Sequence, residues 1–154
     1  MNDSNTSTKL LHILITLNTV IFLLLSFLHF YWAFGGTLWY GDVLPTNSTG
    51  TKRMQPGVMA SFTVAFSLLS FALITIGNHG IWYKHIKRKY FSYGALLISI
   101  IFFIRAIGDF KFIGFFKTVN KTRFALNDTQ LFSPICLFIA IVSLWIFIAT
   151  KHKR

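Results

Sequence analysis

Glutamate is absent from this 154-residue chain, aspartate occurs only four times (Asp3, Asp42, Asp109 and Asp128), and charged residues of every kind make up 12%. That scarcity removes the raw material of most carboxylate-driven catalysis, including HExxH metalloproteases and glutamate-coupled four-helix exporters. No Gly-rich phosphate loop and no GxSxG elbow occurs either. Cysteine occurs once, as Cys136 inside an apolar run, so neither an intrachain disulfide nor a dithiol redox centre can form. What the chain does have is hydrophobicity: 54% of it is apolar, Phe alone contributes 18 residues, and the mean hydropathy is +0.60. No ordinary soluble domain has that balance, and an all-α integral membrane protein does.

The formal net charge is +11, a value that in a soluble protein suggests nucleic acid. The positions of the cations argue against it. They punctuate apolar runs, at Lys84, Lys87, Arg88 and Lys89 and again at Lys151, Lys153 and Arg154, as anchors beside anionic lipid do. The bilayer, and no nucleic acid, is the expected partner.

A helix needs about 20 apolar residues to cross roughly 30 Å of hydrocarbon. Four windows of that length fall at about 10–34, 58–77, 91–108 and 132–150, predicting a single four-helix transmembrane domain with outer loops at 35–57 and 109–131. Gly35-Gly36, Asn78 with Gly80, Gly108 and the terminal cations stop the four runs. Pro56-Gly57 precedes the second and Ser133-Pro134 reads as the N-cap and first position of the fourth. The first run is too long for a signal peptide and lacks a cleavage pattern, so it is expected to be retained. Placing both termini in the cytoplasm puts eight cations inside and six outside. Four of the eight lie in the very short connection between the second and third runs, where the positive-inside rule has most force.

The two outer loops differ. Asn47, Ser48, Thr49, Gly50 and Thr51 read as flexible loop, whereas Phe110, Phe112, Ile113, Phe115 and Phe116 between Lys111 and Lys117 suit a segment in the headgroup region or folded back over the bundle. Small residues suggest helix contacts: Gly57, Ser61 and Ala65 on the second span, and Cys136, Ala140 and Ser143 on the fourth.

Arg105 is the most informative residue, because a charged side chain at membrane depth must snorkel, pair or meet water. It falls about 22 Å along the third span from Tyr90, and His29 about 28 Å along the first from Leu10. The two spans run in the same direction and bring both residues to similar depth, with Asp109 one turn beyond Arg105 and Asp128 before the fourth span. The functional reading is an outward-facing polar site in which Arg105 and His29 bind an anionic or carbonyl-bearing group while Asp109 or Asp128 holds Arg105. The competing reading is structural: Arg105 pairs with Asp109 at i, i+4 and His29 bonds a carbonyl. His29, Trp32 and Gly36 share a face of the first span, and Tyr31, Trp32, Trp39 and Tyr40 form the aromatic belt common to membrane proteins. Asn78 and His79, beside Lys84 and His85, lack the further ligands a metal site requires. No metal and no cofactor is expected.

Three blocks carry a family resemblance. His29-Phe30-Tyr31-Trp32-Ala33-Phe34-Gly35-Gly36 resembles the HxYWAxGG signature of a small bacterial membrane family catalogued as domain of unknown function 3995. Arg105-Ala106-Ile107-Gly108-Asp109-Phe110, continuing to Gly114-Phe115-Phe116-Lys117, is similar to its second block. Phe124-Ala125 with Asp128, leading to Ser133-Pro134-Ile135-Cys136-Leu137, is similar to its third. The resemblance implies a four-helix protein of the bacterial inner membrane with no established activity, and its blocks fall on the candidate site: His29, Trp32, Gly36, Arg105, Asp109 and Asp128. Three function classes stay open. One is the binding, sensing or movement of a small amphipathic or anionic molecule, a lipid included. The second is an enzyme with His29 as general base and Arg105 stabilising an anion. The third is an accessory subunit joined through its small-residue faces to a membrane partner or to further copies of itself.

Overall fold

A computed structural model describes residues 3–45, 57–82 and 84–151. All the regular structure among them is helical: α1 (Asp3–Ala33), α2 (Val58–Gly77), α3 (Arg88–Ile107), the short α4 (Arg123–Asn127), a π-helical turn (Asp128–Phe132) and α5 (Ser133–Lys151). Four helices are long and apolar enough to cross a membrane, the last running without a break from Arg123 through the π turn to Lys151. Only 28–39% of their most apolar windows is buried inside the bundle. Leu24, Phe27, Phe66, Leu97, Phe103 and Ile141 face outward, as they must if the solvent is hydrocarbon.

The helices pack as two antiparallel pairs, α1 on α2 and α3 on α5. Phe22, Ile98 and Ile139 are fully buried at the centre, with Leu68, Ala72, Phe102 and Ala140 around them. The Phe22, Phe71 and Phe102 rings meet at tilted or edge angles with centroids 5.5–6.1 Å apart, tying α1, α2 and α3 together. Each pairing also carries a polar stitch. Ser26 Oγ donates to the Ala65 carbonyl at 2.8 Å and Ser99 Oγ to the Ala140 carbonyl at 2.8 Å. Ser92 and Thr150 share a hydroxyl bond of 2.8 Å, and Asn18 Nδ2 donates to Ser143 Oγ at 3.1 Å. Small residues permit these approaches, as expected of Ala65, Ala140 and Ser143. Gly57 has open space around it, and Cys136 packs against the rim of the central cluster.

Three helices begin ahead of their apolar runs, α3 by one turn at Arg88 and the other two by more. α1 begins at Asp3, before the apolar run, because nothing in Asn5–Lys9 breaks a helix. The helix that carries the fourth apolar run begins at Arg123, ahead of the run itself: Thr122 Oγ1 accepts from the Ala125 amide at 3.1 Å and caps the short α4. Pro134, which has no amide proton to donate, is accommodated by the preceding π turn, where the Ser133 amide reaches back to the Asp128 carbonyl. Ser133-Pro134 is thus an internal irregularity of a longer helix. Gly35-Gly36 is a helix stop: with Gly35 at φ +90°, the Gly35 amide bonds the Trp32 carbonyl and the Gly36 amide the Tyr31 carbonyl. The loop residues Asn47 to Thr51 and the cations Lys52, Arg53, Lys153 and Arg154 lie outside the described residues.

Candidate functional site

The C-terminal ends of α1 and α3 and the N-terminal ends of α2 and the fourth span meet at one end of the bundle. The segment after α3 does not leave it. Gly108 and Gly114, both at φ +89°, bring the chain back on itself so closely that a side chain on either would run into backbone, Ile113 in one case and Ile107 in the other. The return is fixed by hydrogen bonds from the Asp109 amide to the Ile113 carbonyl (3.2 Å) and from the Phe115 amide to the Ala106 carbonyl (2.9 Å). The Asp109 carboxylate accepts from the amides of Lys111, Phe112 and Ile113 at 2.9, 2.7 and 2.9 Å. Desolvation pushes its pKa up, but these amide bonds outweigh it and hold the carboxyl below the usual range. Asp109 therefore organises the loop and does not pair with Arg105.

Arg105 pairs with Asp128. The distance from Arg105 Nη2 to Asp128 Oδ1 is 2.7 Å, and the Asp128 side chain is fully buried. Its other oxygen accepts from the Gly114 amide (2.7 Å), Lys117 Nζ (3.0 Å) and Ser133 Oγ (3.2 Å). Lys117 is buried too, with 2% of its side chain exposed, and its ammonium also donates to the Gly114 carbonyl (3.0 Å) and Thr129 Oγ1 (2.6 Å). One carboxylate thus joins the end of α3, the returning loop, the π turn and the start of α5. A buried carboxylate is tolerable only with this density of donors.

A cavity of about 400 Å³ opens beside this hub. Its walls include His29, Trp32, Tyr40, Arg105, Phe124 and Phe132, and most of its lining is apolar. His29 Nδ1 lies 2.9 Å from the Leu25 carbonyl, and its ring meets the Trp32 ring edge-on at 4.9 Å. Trp32 Nε1 donates to the Leu38 carbonyl at 2.8 Å, pinning the segment after α1 over the opening. Asn127 Nδ2 holds the Asp42 carbonyl at 3.4 Å from the other side. Arg105 is half satisfied: Nη2 is spent on Asp128, while Nη1 is buried with no hydrogen-bond partner among the described residues. A volume near the lower end of the usual ligand range, apolar walls and a few convergent polar groups are the ordinary attributes of a small-molecule pocket.

Of the six candidate residues, His29, Trp32 and Arg105 line the cavity, and Asp128 stands behind Arg105. Gly36 lies in the helix stop beneath the Tyr31 ring, and Asp109 in the loop. Sequence reasoning missed Lys117, Gly114 and Ser133 as partners of Asp128, and Thr129 as a partner of Lys117; the available signal was that Gly114, Lys117 and Ser133 fall inside the blocks of resemblance. At the opposite end His79 meets His12 edge-on at 4.9 Å and Thr16 Oγ1 at 3.2 Å. No group of three or more His, Cys, Asp or Glu able to hold a metal occurs among the described residues.

A family model described as "Protein of unknown function (DUF3995)" matches residues 22–143, a stretch that contains every residue of the hub and the cavity wall named above. No curated protein and no solved structure matches the chain.

Proposed function

This chain belongs to the DUF3995 family, whose description assigns no activity, and from that premise we propose that it is a multi-pass protein of the bacterial cytoplasmic membrane that binds a small amphipathic molecule with an anionic headgroup. The observation that carries this reading is Arg105, which Asp128 fixes along one edge while 32% of its side chain stays exposed and the residue lines the wall of an otherwise apolar cavity. An anionic oxygen entering the cavity gains a charge-assisted hydrogen bond from a guanidinium already held in place. Asp128 is the positioning residue. It fixes one edge of the guanidinium, so little further ordering is needed when a ligand arrives. Binding supports either sensing or movement of the ligand, movement requiring further copies of the chain or a membrane partner.

Native mass spectrometry of protein released from lipid nanodiscs tests the reading. The wild type is expected to carry a discrete bound mass that Arg105→Gln loses while keeping its helical circular dichroism signal. Asp128 retains Lys117, Gly114 and Ser133 in that variant, so the fold has other anchors. A folded Arg105→Gln with the same bound mass would overturn the assignment. With both termini cytoplasmic, the cavity opens toward the outer leaflet. In a Cys136→Ser background, Lys121→Cys should then react with an impermeant thiol reagent on intact cells and Lys87→Cys should not. The reverse pattern would invert the orientation.

A further inference from the structure

Resting on that reading of the cavity, we propose that its ligand is a monoanionic amphiphile with a free hydroxyl in the headgroup, the ionised oxygen accepting from Arg105 and the hydroxyl donating to Nε2 of His29.

The charge follows from the hub. Two cations, Arg105 and Lys117, share the single carboxylate of Asp128 at 2.7 and 3.0 Å, so this three-residue hub carries one positive charge in excess, the Asp109 carboxylate being turned to the loop amides instead. Lys117 has acceptors for all three of its protons in Asp128, Gly114 and Thr129. The unmet demand is therefore at Arg105, which lines the cavity. One negative charge cancels it. A dianion would leave a charge of its own stranded among apolar walls, and a zwitterion would bring a second cation into the same space.

The hydroxyl follows from His29. A carbonyl oxygen only accepts, so the 2.9 Å contact with Leu25 places the ring proton on Nδ1. In the neutral imidazole Nε2 is then an acceptor, and it has no hydrogen-bond partner among the described residues. Trp32 Nε1 is already spent on the Leu38 carbonyl and cannot serve it. A headgroup that only accepts, such as a carboxylate or a phosphate diester without a hydroxyl, satisfies Arg105 and faces His29 lone pair to lone pair. A phosphate diester bearing a polyol satisfies both. The remaining wall, with Leu25, Leu28, Val64, Phe124 and Phe132, suits the apolar chain of a lipid more than a water-soluble phosphate.

The test uses full-length protein in phosphatidylcholine nanodiscs doped equally with phosphatidylglycerol and phosphatidylmethanol of the same acyl chains. The two dopants share one phosphate charge and differ in the headgroup hydroxyls. Native mass spectrometry of the released wild type should show phosphatidylglycerol retained over phosphatidylmethanol by about tenfold, the usual consequence of stranding one buried acceptor. His29→Phe should hold the two lipids equally and still above phosphatidylcholine, and His29→Gln, whose amide oxygen accepts, should restore the preference. Added glycerol phosphate should leave the retained lipid in place; displacement at equal concentration would overturn the amphiphile assignment. Equal retention of both anionic lipids by the wild type would overturn the hydroxyl inference and leave the anionic site standing. No preference for either over phosphatidylcholine would overturn both. The wild-type ratio decides even where a variant fails to fold.

Discussion

Buried polarity occurs in two regions of this bundle, and the two are built differently. Along the helices it is neutral and paired across one interface at a time: Asn18 with Ser143, Ser92 with Thr150, Ser26 and Ser99 with backbone carbonyls. At the Arg105 end it is charged, it draws four chain segments onto one carboxylate, and it borders a cavity. An unpartnered atom alone does not separate them, because Asn18 Oδ1 is as orphaned as Arg105 Nη1 among the described residues. What separates them is the combination of surplus charge with space for a ligand. Helix-to-helix hydrogen bonds are a general way of holding a bundle together in lipid, whereas a cation left over beside an apolar cavity calls for something from outside.

The largest effect is expected at the hub. Asp128→Ala strands Lys117 inside the protein and frees Arg105, and breaking a buried pair from one side typically costs about 3–5 kcal/mol. The variant should fail to accumulate folded, or should melt far below the wild type when unfolding is followed in nanodiscs. Gly114→Ala comes next. Its φ of +89° and the backbone of Ile107 and Gly108 leave no room for a methyl group, so the returning loop must shift and carry the amide off Asp128. A loss above about 1 kcal/mol is expected, together with weakened lipid retention. Asn18→Leu should do much less, on the order of 0.6 kcal/mol, the usual worth of an interhelical hydrogen bond in a membrane protein. A drop as large as that of Asp128→Ala would erase the distinction between the two regions.

The smallest effect is local and pH-dependent. Because the folded pKa of Asp109 lies below its unfolded value, its contribution is fully present above about pH 4 and fades as pH falls through the folded value. Amide protection at Lys111 to Ile113, corrected for intrinsic exchange rates, should fall across that window in the wild type. In Asp109→Asn it should stay flat.

How much of this was legible beforehand depended on the range of the interaction. The four spans are written in uninterrupted apolar runs, and Gly35 and Gly108 mark stops that need positive φ. Ser133-Pro134 has the residue types of a helix start, whereas here a π turn absorbs the proline and the helix begins at Arg123, its capping threonine eleven residues before Ser133, at Thr122. The candidate site was half legible. Charge at membrane depth singles out Arg105 locally, but its partner lies 23 residues away, and Asp109 at i, i+4 is an equally good partner until the loop's amides claim it. Lys117 read as an interfacial cation, because nothing in its neighbourhood announces that two glycines fold the loop back and bury it. The cavity was not legible at all, since its walls come from four separate stretches of chain.

The central claim, that the Arg105 end is a ligand site and the interior polar pairs are not, meets its most direct test in one count. Wild type, Arg105→Gln and Asn18→Leu would be washed in neutral detergent at matched helicity, and the anionic phospholipid extracted from each counted per chain. The expected result is about one lipid on the wild type and on Asn18→Leu and almost none on Arg105→Gln, as the loss of a charge-assisted contact implies. Equal counts on all three proteins would contradict it, and would make Arg105 one more structural polar residue in a helical bundle.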